Sequence, residues 1–408
     1  MPIIRSRDWL AKSWEGSIPG FEGVTPNVFY SDCERWPAPE FAERRLAAPL
    51  ASNEIVSEAP PAFPPYPLSA EGLATAHGPE SDGLLVIHGH PDSWPKRSRS
   101  AKREWIGMAA LANAAQLYQS PRELAERLTA FKTLTGNSAI LYAPGVATPA
   151  NLGVLAYAGI DLFDDLQCIM AARRGLEMFH GGAVESTEDF KKILGASRLA
   201  LHTELRHVRN QIAAGRLREY AEYKAKCDPR AVELLRHLDL RHFEAVEPFV
   251  PVAGPNFQSN SKSGLHRPDV ERWRRRISHR YAKPEGADIL LLLPCSARKP
   301  YSDSQSHRQF REAIEASGVS VRVHELIVTS PLGLVPRELE CAYPAKEYDV
   351  PVTGDWDADE RAMLSKALTG YLKNNSYAAI VAHIGDDLAH VMDSAPGAIS
   401  TGDRPTSR

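Results

Sequence analysis

The sequence has no long apolar run and almost no excess of charge of either sign. An apolar run such as Ile289–Cys295 is far shorter than the roughly 20 residues that a membrane-spanning helix needs. The N-terminal residues also lack the apolar core of a secretory signal. Because 48 Lys and Arg residues face 51 Asp and Glu residues, any surface for nucleic acid must be a local patch. We therefore expect a soluble, cytoplasmic protein with no membrane association.

Cysteine is scarce and never closely spaced. The five cysteines are Cys33, Cys168, Cys227, Cys295 and Cys341. Since none lies near another in the sequence, a Cys-x-x-Cys zinc knuckle or redox pair is excluded. An odd number of cysteines in a cytoplasmic chain indicates free thiols, one of which could be reactive.

The order of helix-like and strand-like segments indicates the fold. Hydrophobic residues make up 43% of the 408 residues, which predicts ordered domains rather than disorder. Strand-like runs alternate with helix-like stretches, and this alternation predicts an α/β fold with a mostly parallel sheet. We expect a first domain at 1–245, a Pro-, Asn- and Ser-rich linker at 246–265, a smaller three-layer α/β domain at 266–392 and a polar tail at 393–408.

The predicted elements follow from the same patterns. In the first domain they are strands at 84–88, 139–143 and 159–164 and helices at 102–118, 121–133, 149–158, 186–224 and 229–238. In the second domain they are helices at 268–280 and 306–317 and strands at 288–293, 319–328 and 378–384.

The segment Leu293–His307 contains the most reactive group of side chains. A buried strand delivers Cys295 to the carboxyl end of a parallel sheet, where open α/β folds bind their ligands. Lys299 follows, and His307 opens the next helix, which Ser306 is expected to cap. Lys299 and the helix N-terminus are expected to lower the pKa of the Cys295 thiol, and His307 is expected to stay neutral and transfer protons. The alternative is that Cys295 is a small core residue at a strand end.

The spacing in this segment resembles the signature of archaeosine synthases. Their pattern Pro-Cys-x3-Lys-Pro-Tyr-x2-Ser-x2-His is matched at every defined position of 294–307. The stretches Thr329–Glu340 and Tyr343–Gly354 also resemble that family. The resemblance implies that Cys295, Lys299 and His307 are catalytic. It implies substrate contacts from Tyr301, Ser304, Thr329 and Ser330.

Residues 139–175 resemble tRNA-guanine transglycosylases, chiefly in Tyr142–Leu152 and Gly159–Asp164. This resemblance implies a degenerate TIM-barrel-like first domain and puts Asp164 at the position of the nucleophile. However, the chain lacks the Thr-Asp-Ser-Gly-Gly-Phe-Gln segment that supplies the second aspartate, and 179–202 lacks the cysteines of the family's zinc site. We therefore expect Asp164 to be structural or to contact the base, and we expect no bound metal and no cofactor.

The helix predicted at 268–280 lies in a basic segment. Residues 266–283 contain six Arg and one Lys, with Trp273 and Tyr281 between them, a composition that favours contact with RNA. The predicted RNA contacts are Arg272, Arg274, Arg275, Arg276 and Arg280. The alternative is a solvated helix face packed by Trp273 and Ile277. Archaeosine synthases usually end in an RNA-binding PUA domain, for which the tail at 393–408 leaves no room, so we expect either that a separate polypeptide supplies this domain or that the chain is a shortened or diverged member.

The resemblance implies a tRNA-modifying enzyme of archaeosine biosynthesis. Its substrate would be tRNA that carries 7-cyano-7-deazaguanine, and nitrogen from lysine or from a glutamine or ammonia donor would be added to the nitrile. We expect the Cys295 thiolate to add to the nitrile carbon, His307 to move protons and Lys299 to polarise the site. Two alternatives stay open: a base-exchanging tRNA- or DNA-guanine transglycosylase acting through Asp164, and a non-catalytic subunit that docks tRNA for a partner such as a radical-type lyase.

Overall fold

The structure is a computed structural model. It describes residues 3–18, 21–31, 38–46, 84–87, 91, 107–111, 113–136, 139–351 and 355–401. The chain divides into two compact units, Met1–Val250 (unit 1) and Pro251–Arg408 (unit 2). The domain boundaries expected at 245 and 266 stay a prediction. In the described part of the chain, no helix is long and apolar enough to cross a membrane.

Unit 1 is built from strands and helices that alternate through most of its length. Its described strands are β1 (Ile3–Asp8), β2 (Ala11–Ile18), β3 (Phe21–Thr25), β4 (Asn27–Ser31), β5 (Arg44–Leu46), β6 (Leu84–Ile87), β7 (Met108–Leu111), β8 (Ile140–Tyr142), β9 (Leu162–Asp164), β10 (Leu176–Phe179) and β11 (Gly182–Glu185). Its described helices are α1 (Ala114–Leu117), α2 (Pro121–Thr135), α3 (Leu152–Tyr157), α4 (Leu166–Arg173), α5 (Phe190–Ala214), α6 (Leu217–Ala225), α7 (Pro229–Arg241) and α8 (Phe243–Val246).

The main sheet of unit 1 is parallel, with the strand order β5-β4-β9-β8-β7-β6. Strands β1, β2 and β3 form a separate antiparallel sheet, and β10 and β11 form an antiparallel pair. The predicted α/β class with a parallel sheet is therefore confirmed. Among the described residues the edge strands β5 and β6 are not paired with each other, so the barrel stays a prediction.

One predicted element of unit 1 is wrong. The helix expected at 102–118 contains Met108–Leu111, which forms β7. All four of these side chains are buried, and a strand covered on both faces reads as a continuous apolar run that cannot be told from a buried helix by its period. Helical structure begins only at Ala114 in the described part of this segment. Cys33 lies outside the described residues.

Two buried lysines share one carboxylate beside the amino ends of β8 and β9. The Nζ of Lys12 lies 3.4 Å from Asp161 Oδ2 and donates a hydrogen bond to the carbonyl of Ala139. A Cβ on Gly159 would lie 2.5 Å from Cε of Lys132, and φ at Gly159 is +95°, so only glycine fits there. Burial lowers the pKa of Lys12, and burial together with the charge of Lys12 lowers the pKa of Lys132 to about 7.

We expect Lys132→Met to stabilise unit 1 at pH 7 by about 1 to 3 kcal/mol, because a buried charge is replaced by an apolar chain of similar length. Unfolded Lys132 keeps its proton up to its ordinary pKa of 10.5. Folded wild type therefore gains stability as the pH rises from about 7 towards 10.5, and the advantage of the variant shrinks over that window. Urea denaturation between pH 6.5 and 10 measures this, and a constant difference between the two proteins would contradict it.

Unit 2 has a second α/β arrangement. Its described strands are β12 (Phe257–Gln258), β13 (Ile289–Pro294), β14 (Val323–Thr329), β15 (Gly333–Pro336), β16 (Tyr348–Asp349), β17 (Ala379–Ala382) and β18 (Ile399–Ser400). Its described α-helices are α9 (Pro268–His279), α10 (Gln305–Ala316) and α11 (Ala358–Asn374). The sheet order is β15-β14-β13-β17-β18, and only β15 is antiparallel to its neighbour.

The helices of unit 2 lie on both faces of this sheet. Neighbouring residues of a strand point to opposite faces. His324 of β14 contacts Tyr371 of α11, whereas the next residue, Glu325, pairs with Arg337, which reaches His307 of α10. The unit therefore has three layers. The chain runs from β13 to β14 on one side and later to β17 on the other, so the carboxyl end of β13 lies at the point where the strand order reverses, where such folds bind ligands.

Candidate active site

Cys295 directly follows the central strand β13, between the carboxyl ends of β14 and β17. Its side chain is partly buried. Burial raises the pKa of the Cys295 thiol above its ordinary value, although a hydrogen bond with Thr329 and the charge of Lys299 act in the opposite direction. This differs from the lowered pKa expected from sequence, because burial outweighs the nearby charge. The thiol is therefore protonated at neutral pH, and a base must accept its proton before the sulfur can attack.

Lys299 is the basic group beside Cys295. Its Nζ lies 4.0 Å from the centre of the Tyr348 ring, a cation–π arrangement. Burial lowers the pKa of Lys299, and the nearby Cys295 and Asp349 act against that shift. A lysine with a lowered pKa exchanges protons more readily near neutral pH. A proton can therefore pass between Cys295 and Lys299, so that the pair exists either as thiol and neutral amine or as thiolate and ammonium.

Three buried hydroxyl groups lie beside this pair. Tyr348 Oη lies 2.5 Å from Tyr301 Oη and 2.5 Å from Thr329 Oγ1, and Thr329 also bonds with Cys295. Tyr301 and Thr329 are both 0% exposed. The row of hydroxyls orients the Cys295 thiol and supports the ring beneath Lys299. Tyr301, expected from sequence to contact substrate, is thus fully buried next to the site and is not exposed at its surface.

His307 lies in the first turn of α10 and is 0% exposed. Its Nδ1 lies 2.7 Å from Nη2 of Arg337. Burial and the positive charge of Arg337 lower the pKa of His307 to about 4, so the ring is neutral at pH 7, as expected. The helix cap differs from the prediction: the side chain of Ser304, not that of Ser306, accepts the bond from the backbone N–H of His307. Ser330 is partly buried beside Thr329.

Sequence reasoning missed two residues of this region, Tyr348 and Arg337. Arg337 donates to Glu325 over 2.6 and 2.9 Å and to Glu340 over 2.9 Å. Both residues lie inside the two downstream stretches that resemble archaeosine synthases. The resemblance of those stretches is the sequence signal that could have found the two residues. The side chains of Tyr348 and Arg337 reach the Cys295 loop through sheet pairing and turns, which no spacing rule encodes.

Asp164 of unit 1 is enclosed by donors. Its Oδ2 accepts bonds from Tyr142 Oη over 2.8 Å and from the Gly145 N–H over 2.9 Å. Its Oδ1 accepts a bond from the Leu166 N–H over 3.1 Å. Burial raises the pKa of Asp164 to about 6 against the effect of these donors. A carboxylate held by three donors orders the turn after β8 and the start of α4. Whether Asp164 is structural only or also contacts the base stays a prediction.

The predicted RNA contacts differ in their surroundings. Arg272 is buried, and it donates to the carbonyl of Pro251. Arg274 donates to the carbonyls of Pro331 and Leu265. By contrast, three of the five are exposed: Arg275, Arg276 and Arg280. For these three exposed arginines, contact with RNA stays a prediction.

The aromatic residues of the same segment pack inside unit 2. Trp273 is buried, and its Nε1 donates to the carbonyl of Leu334 over 3.0 Å. Tyr281 stacks beside His324 and Tyr371. In the part of the chain that the structure describes, no group of three or more His, Cys, Asp and Glu side chains could hold a metal ion.

Comparisons with known proteins find one matching family and several similar proteins. Residues 270–407 match a family described as Domain of unknown function (DUF5591). The chain is 34% identical over 304 residues to the archaeosine synthase subunit alpha of Thermoplasma acidophilum, covering 74% of this chain and 58% of that protein. It is 38% identical over 301 residues to the archaeosine synthase subunit alpha of Methanosarcina acetivorans, covering 67% of this chain and 48% of that protein. The chain thus spans about half the length of these relatives.

A more distant similarity extends to the base-exchanging enzymes. The chain is 31% identical over 160 residues to the tRNA-guanine(15) transglycosylase of Methanothermobacter thermautotrophicus, which covers 38% of this chain and 23% of that protein. The fold and these matches define an α/β protein related to tRNA-guanine transglycosylases. Within that class, the chain belongs to the archaeosine synthase family.

Proposed function

We propose that this chain modifies tRNA bearing 7-cyano-7-deazaguanine by adding nitrogen, from lysine or from glutamine or ammonia, to the nitrile on the route to archaeosine. The observation that carries the proposal is the meeting of Cys295 and Lys299 at the carboxyl end of β13, within a complete archaeosine synthase signature. The names of its relatives support the same reaction. The cytoplasm, where tRNA is modified, is the compartment we propose.

The chemistry needs no oxidation or reduction. Lys299, as the neutral amine, accepts the thiol proton of Cys295, and the sulfur adds to the nitrile carbon while one carbon–nitrogen π bond breaks. The ammonium of Lys299 returns that proton to the nitrile nitrogen, which gives a thioimidate. The donor amine then bonds to the same carbon, the carbon–sulfur bond breaks, and the sulfur regains a proton from the amine. The product is an amidine, and Cys295 is restored.

The test is mass spectrometry of nucleosides from tRNA carrying 7-cyano-7-deazaguanine after incubation with the purified chain. Lysine, glutamine and ammonium are supplied in separate reactions. A mass increase equal to lysine or to ammonia supports the proposal and names the donor. Binding of tRNA with no product in any reaction would instead support the docking subunit. The reactions would then be repeated with a PUA-domain protein or a radical-type lyase added. Incorporation of labelled free 7-cyano-7-deazaguanine would support base exchange.

The exposed arginines of α9 and its end give a separate prediction. We expect Arg276→Ala with Arg280→Ala to weaken tRNA binding and to reduce the slope of log affinity against log salt by about 1 to 2, since each phosphate contact contributes about 0.9. Arg236→Ala, at an exposed arginine of α7, is the matched control. Filter binding between 50 and 200 mM salt measures both variants. An unchanged slope for the double variant would show that Arg276 and Arg280 do not contact tRNA phosphates.

A further inference from the structure

The hydrogen bonds around His307 restrict what this residue can do. A guanidinium group can only donate hydrogen bonds. Because Nη2 of Arg337 lies 2.7 Å from Nδ1 of His307, Nδ1 must offer its lone pair. A neutral imidazole has one protonated nitrogen, so the proton of His307 resides on Nε2.

The other ring nitrogen has a different environment. Nε2 of His307 is buried and has no hydrogen-bond partner among the described residues. A buried N–H without a partner is unfavourable, so its retention calls for a reason. The carbonyl of Pro294, which immediately precedes Cys295, faces the ring as a weak hydrogen-bond acceptor that raises its pKa, but it does not form a full hydrogen bond with Nε2. The Nε2–H group of His307 therefore lies near the end of β13, where Cys295 begins the loop.

The surroundings of the ring hold Arg337 firmly in place. Glu325 of β14 accepts two bonds from it, and Glu340 accepts one. Glu340 also accepts a bond from the Ser302 N–H over 3.0 Å. The charged and titratable groups that face His307 are Arg337, Glu325, Glu340, Tyr301 and, on its own helix, Arg311. The two carboxylates fix the guanidinium and do not contact the ring nitrogens within hydrogen-bond distance in the described structure.

We propose that Arg337 is a positioning residue that locks His307 as its Nε2–H tautomer, so that His307 serves the Cys295 chemistry as a hydrogen-bond donor and not as a base. The proposal rests on the proposed function. In that reaction a donor is needed where negative charge develops on the nitrile nitrogen, and a preorganised N–H in a buried site supplies it. Proton transfer is left to Lys299.

The first test does not depend on activity. In protein labelled with ¹⁵N-histidine, the two nitrogen shifts of His307 are assigned with His307→Gln and followed from pH 5 to 9. We expect a constant Nε2–H tautomer in wild type and in Arg337→Lys, which retains a donor. We expect the double variant Arg337→Met with Glu325→Gln to show mixed tautomers of His307, and we expect His307 to titrate within this pH range. The second change removes one of the two carboxylates that would otherwise lose their arginine. A charged or Nδ1–H ring in wild type at pH 7, or an unchanged tautomer in the Met variant, would overturn the proposal.

The second test separates a donor from a base. Glutamine can donate a hydrogen bond where Nε2–H lies, but it cannot act as a base, and leucine can do neither. We expect His307→Gln to turn over nitrile-bearing tRNA at least tenfold faster than His307→Leu, with amounts of folded protein matched by circular dichroism. Equal rates for the two variants would reject the donor role. If wild type itself forms no product, the proposed function fails, while the NMR result still decides the tautomer.

Discussion

Replacing Cys295 by alanine is expected to lower turnover of nitrile-bearing tRNA by several orders of magnitude, up to the roughly 10⁶-fold that loss of a covalent nucleophile costs in a serine protease. The physical reason is that the amine must then attack the nitrile directly, without the more reactive thioimidate. The side chain is partly exposed and small, so the fold should tolerate the change. Quantitative nucleoside mass spectrometry in single-turnover reactions measures the loss.

The matched control is Cys341→Ala, because this cysteine is exposed and free in the same unit. Its turnover should equal that of wild type. A more direct readout is intact-protein mass spectrometry with the nitrile substrate and no amine. Wild type should gain the full mass of the nitrile compound, since addition releases nothing, and Cys295→Ala should gain none. Full turnover by Cys295→Ala would reject covalent catalysis and leave an electrostatic site built around Lys299.

Removing Arg218 is expected to have the largest effect on stability. Its guanidinium is buried in unit 1 and donates to both carboxylate oxygens of Asp239, over 2.6 and 2.7 Å. It also donates to Glu222 over 2.8 Å and to Tyr157 over 2.9 Å. Arg218→Met leaves carboxylates without their partner in a buried place, which costs about 3 to 5 kcal/mol. Hydrogen exchange of peptides from α6 and α7 reports the local free energy of opening.

Two further variants make this prediction specific. Arg218→Met combined with Asp239→Leu should recover part of the loss, because one of the two buried carboxylates that Arg218 bonds is then removed with it. Lys192→Ala breaks an exposed pair, in which the Lys192 side chain is 68% exposed, and should cost less than about 0.5 kcal/mol. If the double variant is as unstable as Arg218→Met, the loss comes from packing and not from charge.

Much of the fold could be predicted because its elements have distinct periods and ends. The helical stretch expected at 186–224 is found as two helices, 190–214 and 217–225, divided at Gly215, and the helix at 229–241 has a clear start at Asp228 before Pro229. The sequence does not distinguish Met108–Leu111 from a helix, because a strand buried on both faces lacks the alternation of apolar and polar residues.

The site could be predicted only in part. Cys295, Lys299 and His307 come from one loop and the helix that follows it, so their closeness is encoded in sequence spacing. Arg337 reaches His307 through strand pairing between β14 and β15, and such long-range contacts leave no local pattern. The net effect of burial on the pKa of Cys295 also depends on how tightly the loop packs, which charge counting cannot supply.

The arrangement of Arg337 between two carboxylates and an imidazole has a consequence for how this sequence can change over generations. Replacing Arg337 alone leaves the carboxylates of both Glu325 and Glu340 without their shared counterpart, whereas either glutamate can be replaced while the other still pairs with Arg337. Lineages are therefore expected to lose one of the glutamates before they lose the arginine.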